Sequence, residues 1–154
     1  MKFSAIIFDM DGVLIDSELF WDEAGEKFFT KRGIRFNPEI KSHLTGNSMQ
    51  QSMTWVKQEF ELPDSLPDLC AEYTDLSSHI YEHVTQPLPG VVELLKKLRA
   101  INLKIAIASG SYLSRIELIV DKFGWKEYFD ALVSSDHVNF IGKPDPAIYL
   151  HAAE

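Results

Sequence analysis

The chain opens on a short apolar run and then changes its hydrophobic period twice. Residues 3 to 8, Phe-Ser-Ala-Ile-Ile-Phe, are almost continuously apolar and end at Asp9. A run this short and bounded by charge predicts a strand buried on both faces, as in a parallel sheet. From residue 18 to residue 86 the apolar positions recur at helical spacing instead. Phe20, Ala24 and Phe28 mark a helix from Glu18 to about Arg32, capped by Asp16 or Ser17 and stopped at Gly33. Asn37 ahead of Pro38 starts a short helix that ends near Gly46. Ser48 opens a third, with Met49, Met53, Val56 and Phe60 on one stripe. A fourth follows Pro67, with Leu69, Tyr73, Leu76, Ile80 and Val84 at the same spacing. This stretch carries no strand signal and predicts a small helical bundle.

At Gln-Pro-Leu-Pro-Gly (86–90) the pattern changes again. A helix from Val91 to Ile101 leads into a strand ending at Ser109, and a helix from Tyr112 to Phe123 is stopped by Gly124. A short strand spans Ala131 to Ser134, and a last helix begins near Pro146. Alternating strands and helices predict an α/β fold, a Rossmann-like parallel-sheet core with an inserted all-helical module. The expected division is residues 1–17 and 87–154 for the core and 18–86 for the insertion.

Composition narrows the class. A chain of 154 residues, 45% hydrophobic, buries one core and a small second module. A net charge of −8 argues against nucleic acid or a membrane surface as partner. Cys70 is alone, so no disulfide framework exists and a reducing, cytoplasmic setting is expected. Asp9 and Asp11 break the opening from Met1 to Phe8 before it forms a leader, and no apolar run approaches the ~18 residues that span a bilayer.

The candidate chemistry lies at the strand ends. The first strand is followed by Asp9 and Asp11, the second carries Ser109-Gly110-Ser111, and Lys143 follows the third. In an open parallel sheet these ends converge on one crevice. Two carboxylates two residues apart repel each other unless a cation or protons lie between them. The combination reads as phosphoryl transfer, in which a carboxylate attacks phosphorus, a divalent cation offsets the repulsion between anions, and a hydroxyl, backbone amides and a lysine hold the phosphoryl oxygens. A hard-oxygen site with few protein ligands, here Asp9 and Asp11, suits magnesium.

Three segments resemble the motifs of the haloacid dehalogenase-like hydrolases in order and spacing: Phe-Asp-Met-Asp-Gly-Val-Leu-Ile-Asp-Ser-Glu (8–18), Ile-Ala-Ser-Gly-Ser (107–111) and Gly-Lys-Pro-Asp-Pro (142–146). The resemblance implies that Asp9 is the nucleophile and forms an aspartyl phosphate. It implies that Asp11 protonates the leaving oxygen and then activates water, with its main-chain carbonyl on the metal. Ser109, with Gly110 beside it, and Lys143 are implied to bind the phosphoryl group. Dehalogenating members lack the second aspartate, and a halide needs no proton, so Asp11 points to a phosphate ester. The family's fourth motif, an acidic pair that completes the metal site, has no match after Lys143. The expectation is therefore a chain that stops short of it, monomeric if complete, with its first strand otherwise left as an open edge prone to self-association.

The helical insertion resembles the family's small cap. Where sugar-phosphate mutases of this group carry a histidine and an arginine, this chain has Trp21 and Met49, and Lys57 is the one Lys or Arg between residues 42 and 86. This favours a phosphatase acting on a small phosphorylated metabolite, a sugar phosphate among the candidates. The alternatives are a mutase and a catalytically silent module of the same fold. His79 and His83 read as a helix surface rather than a zinc site, and Trp55, Met53 and Cys70 read as packing. Trp21 reads as packing with a second role as a pocket wall.

Overall fold

The computed structural model describes residues 3–154; Met1 and Lys2, the start of the opening weighed above as a leader, lie outside the described residues. Three parallel strands, β1 (Ala5–Phe8), β2 (Lys104–Ser109) and β3 (Ala131–Ser134), form a sheet in the order β1-β2-β3. Phe8 lies opposite Ile107, and Ser109 lies opposite Ser134, so the strands end close together on one side. β2 is central and buried from Ile105 to Ser109.

β1 corrects one expectation. It pairs with β2 alone among the described residues; Ala5 is exposed, and Ile6, Ile7 and Phe8 are half-buried. The run is apolar enough for a central strand, but burial is decided by neighbours, and here β1 forms an edge.

Between β1 and β2 the chain makes a 3-10 turn at Ser17–Leu19 and then α1 (Trp21–Thr30), α2 (Pro38–Leu44), α3 (Met49–Glu59) and α4 (Leu66–His79). A π-helical turn at Ile80–Val84 follows, and α5 (Val91–Ala100) leads into β2. α6 (Leu113–Lys122) joins β2 to β3, and α7 (Ala147–Ala153) follows β3. The predicted starts hold at Asn37, whose side chain accepts from the Ile40 N–H at 2.9 Å, and at Ser48, which forms a capping box with Gln51. They fail at Asp16 and Ser17. Asp16 accepts from the Gln86 N–H at 2.7 Å, and Ser17 donates to Asp11 at 2.6 Å, so tertiary partners take both side chains away from helix capping.

Three apolar clusters form among the described residues; the smallest joins Ala108, Val133, Val138 and Ile148, and the two larger ones shape the surroundings of the strand ends. One joins Met10, Leu14 and Ile15 to Leu95, Ile105, Ile107, Ile116, Ile119 and Trp125 around the sheet. The other lies within the insertion and contains Phe28, Phe29, Ile40, Met53, Val56, Leu69, Cys70 and Tyr73. Ala24, Ile80 and Tyr81 belong to the sheet cluster, so the base of the insertion is rooted in the core. The two chain crossings run side by side: Leu88 N–H donates to the Leu14 carbonyl at 3.0 Å and Asp16 N–H to the Gln86 carbonyl at 3.1 Å. His79 and His83 are exposed, and no described helix is long and apolar enough to cross a membrane.

Ile107 is fully buried at the centre of β2. Ile107→Ala is expected to lower unfolding free energy by about 2–5 kcal/mol, the range for a buried large-to-small change. Urea denaturation measures it, and a loss below about 1 kcal/mol contradicts the central place of β2.

Candidate active site

The strand ends meet at a cavity of about 400 Å³ lined by Asp9, Asp11, Ser109, Gly110 and Lys143, the predicted group in full. Asp9 and Asp11 owe their positions to a tight loop. The Met10 carbonyl accepts N–H groups from Val13, Leu14 and Ile15 at 3.3, 2.9 and 3.2 Å, and Gly12 adopts a left-handed φ of 70°. Met10, Leu14 and Ile15 are buried and anchor the loop, while the aspartates between them and the strand face the cavity.

The two carboxylates have different surroundings. Asp9 Oδ2 lies 2.6 Å from Lys143 Nζ, and Asp9 Oδ1 accepts from the Met10 N–H at 2.8 Å. Asp11 meets hydroxyls. Its Oδ1 accepts from Ser17 at 2.6 Å and from Tyr81 at 2.8 Å. Its Oδ2 accepts from Ser111 at 3.1 Å, with Ser109 at 3.5 Å, the limit of a hydrogen bond. Burial pushes the Asp11 carboxyl above its ordinary range, and the charge on Asp9 adds to this; the Ser17, Tyr81 and Ser111 hydroxyls pull the other way without cancelling the rise. The arrangement pairs an ion-paired carboxylate with a neighbour biased toward its protonated form.

Further charges line the cavity. Glu18 is pushed up, first by burial and then by Asp11, with Asp9 and Asp22 adding to it and Lys41 opposing it. Lys41 pairs with Asp22 at 2.5 Å. Arg115 is buried beside the rings of Tyr81 and Trp21, and its Nη2 donates to the Thr74 carbonyl at 2.8 Å. Lys57, the basic residue singled out in the insertion, lies elsewhere and donates to the Leu62 carbonyl at 2.8 Å. The cavity's further cations are Lys41, one residue ahead of the stretch read as poor in basic residues, and Arg115, which no motif marks. Trp21 and Met49 do line the cavity.

The insertion reaches the strand-end loops directly. Ser48 Oγ donates to the Phe140 carbonyl at 2.7 Å. A Cβ at Gly110 would lie 3.3 Å from the Asn47 main-chain oxygen, and one at Gly142 would lie 2.8 Å from the Ser48 nitrogen. Both glycines make room for the insertion.

The described residues contain no group of three or more His, Cys, Asp or Glu that could hold a metal. They do offer a smaller hard-oxygen set. Asp9 has a carboxylate at the cavity, and the Asp11 main-chain oxygen accepts no main-chain hydrogen bond among the described residues. These features fit a magnesium ion that retains several waters.

A family model described as haloacid dehalogenase-like hydrolase matches residues 3–154. Hexitol phosphatase B of Escherichia coli is 30% identical over 97% of this chain and 68% of its own length. A bifunctional riboflavin kinase/FMN phosphatase of Arabidopsis thaliana is 30% identical over 98% of this chain, which spans only 40% of that protein. The crystal structure of β-phosphoglucomutase from Clostridium difficile superposes with a TM-score of 0.85 at 24% identity, over 99% of this chain and 70% of that one.

A carboxyl whose pKa folding raises favours the folded chain while protonated, and that contribution is lost as pH rises through the raised value. Asp11→Asn removes the loss. Without divalent cations, the melting temperature of Asp11→Asn relative to wild type is expected to be higher at about pH 8 than at about pH 4. A pH-independent difference in scanning calorimetry contradicts the upward push that burial gives the Asp11 carboxyl.

Proposed function

We propose, from the premise that the chain belongs to the haloacid dehalogenase-like hydrolases and within them to the phosphatase and β-phosphoglucomutase-like group, that it hydrolyses phosphate monoesters of small metabolites with magnesium. The observation that carries this is the contrast between Asp9, paired with Lys143, and Asp11, enclosed by hydroxyls.

Asp9 is the nucleophile. Its oxygen forms a bond to phosphorus as the ester P–O bond breaks, giving an aspartyl phosphate. Asp11 gives its proton to the departing alkoxide oxygen, then takes one from the water that attacks phosphorus and frees Asp9. Lys143 pairs with Asp9 before substrate arrives and shares its charge with the phosphoryl oxygens afterwards. Ser109, fully buried at the tip of β2, supplies a hydroxyl at a fixed place. Gly110 lets the chain pass beneath the insertion at Asn47. The Asp9 carboxylate and the Asp11 main-chain oxygen would hold magnesium, which when bound offsets the repulsion between nucleophile and phosphoryl group.

Residues 18–86 act as a cap that walls the rest of the substrate. Trp21, Phe36 and Tyr73 provide ring surface, and Glu18, Lys41 and Asn47 provide polar groups among them. This mixture suits a small hydroxylated body such as a sugar or polyol phosphate. The name of hexitol phosphatase B, a relative, points the same way. Lys41 is committed to Asp22 and Arg115 to the α4 backbone, which favours hydrolysis over a mutase that must grip a second phosphate.

Release of inorganic phosphate from a panel of sugar and polyol phosphates tests the reading. Activity is expected to require magnesium and to fall to background in Asp9→Asn, because an amide is a poor nucleophile. Phosphate release unchanged in that variant overturns the assignment. Ser109→Ala is expected to weaken vanadate inhibition by about 1–3 kcal/mol, the scale of a hydrogen bond to a charged group. Lys143→Met is expected to weaken it further, and unaltered inhibition in both variants excludes the two from phosphate binding.

A further inference from the structure

The hydroxyl shell around Asp11 contains one member from the end of the inserted module. Tyr81 is 1% exposed and occupies the second position of the π-helical turn where the insertion returns to the sheet. Its hydroxyl donates to Asp11 Oδ1 at 2.8 Å and lies 3.4 Å from Ser111 Oγ. The ring is held from several sides. Trp21 meets it edge-on with centroids 5.9 Å apart, and the Arg115 guanidinium lies 4.8 Å from its centroid. Arg115 Nη2 also donates to the Thr74 carbonyl at 2.8 Å and to Ser77 Oγ on α4. Lys122 donates to the carbonyls of Tyr81 and Thr85 at 3.0 and 3.1 Å. Two residues of α6 thus grip the helix end that carries Tyr81.

Asp11 Oδ1 already accepts from Ser17 at 2.6 Å, so the Tyr81 hydroxyl occupies its second acceptor direction. Asp11 Oδ2 receives the longer contacts, from Ser111 at 3.1 Å and Ser109 at 3.5 Å, so Oδ1 with its two short bonds is the poorer place for the acid proton. The proton is directed to Oδ2, on the side of Ser109 and Ser111, where the phosphoryl group is bound in the reading above.

We propose that Tyr81 is a positioning residue: with Ser17 it saturates Asp11 Oδ1, fixes the carboxyl rotamer and leaves the transferable proton on Oδ2, facing the leaving oxygen. The inference rests on Asp11 acting as the acid. It also ties that acid to the seating of the insertion, since Tyr81 moves with the end of α4.

Tyr81→Phe removes the hydroxyl and keeps the ring that packs on Arg115 and Trp21. Steady-state kinetics of the whole chain compare p-nitrophenyl phosphate, whose leaving group needs no proton, with an alkyl phosphate such as a hexose phosphate. In kcat/KM, which ends at phosphoryl transfer to Asp9 and leaves out the water step shared by both esters, the alkyl ester is expected to lose about tenfold or more and the aryl ester less than about twofold. The melting temperature should stay near wild type. Site-specific 3-fluorotyrosine at position 81, which restores the hydroxyl, should recover the wild-type ratio of the two rates. Equal losses on both esters, or no loss on either, overturn the positioning role while leaving the Asp9 chemistry standing. A wild-type chain that hydrolyses neither ester with magnesium overturns the proposed function, and this inference with it.

Discussion

Two carboxylates placed two residues apart repel each other, and the site is arranged around that repulsion. Asp9 is relieved by an ammonium group at 2.6 Å, brought from the loop after β3. Asp11 has no such partner; hydroxyls and a raised pKa accommodate it instead. Neither solution is local. Lys143 reaches Asp9 because β1 and β3 flank β2 in parallel, so that the segments leaving all three strands meet at one end. Parallel topology is therefore what lets a pair of carboxylates and a cation from a distant part of the chain share one cavity.

The inserted helices take part in the same arrangement. Their base shares the apolar cluster of the sheet through Ala24, Ile80 and Tyr81, while their far side has a cluster of its own. The loop from Gly46 to Ser48 sits on Gly110 and Gly142, where any side chain would be crowded. The insertion therefore contributes cavity wall at one end and a hydroxyl for Asp11 at the other.

Much of this was legible from residue order. Asn37-Pro38 and the Ser48–Gln51 box marked helix starts because both use contacts within one turn. Asp9, Asp11, Ser109 and Gly110 were legible because they follow or end strands that periodicity locates, and Lys143 because Gly-Lys-Pro-Asp-Pro stands in order after the other two segments. What escaped depends on contacts between distant segments. Asp16 and Ser17 have the chemistry of helix caps, yet Gln86 and Asp11 take them. Tyr81 lies 70 residues from its partner and falls beside, not on, the stripe of Leu69, Tyr73, Leu76, Ile80 and Val84 that periodicity marks. Arg115 resembles any helix arginine until its burial beside Trp21 and Tyr81 is seen. The half-exposed state of β1 also depends on neighbours, which an apolar run does not reveal.

The central claim is that Asp9, paired with Lys143, attacks phosphorus itself. Chemical trapping tests it most directly. The enzyme is mixed with magnesium and a phosphate ester, quenched in acid during turnover, and treated with borohydride, which reduces an acyl phosphate to an alcohol. Peptide mass spectrometry is expected to find homoserine in place of aspartate at position 9 and unaltered aspartate at position 11. Homoserine at position 11, or an unmodified Asp9 in an enzyme that is turning over, would contradict the account.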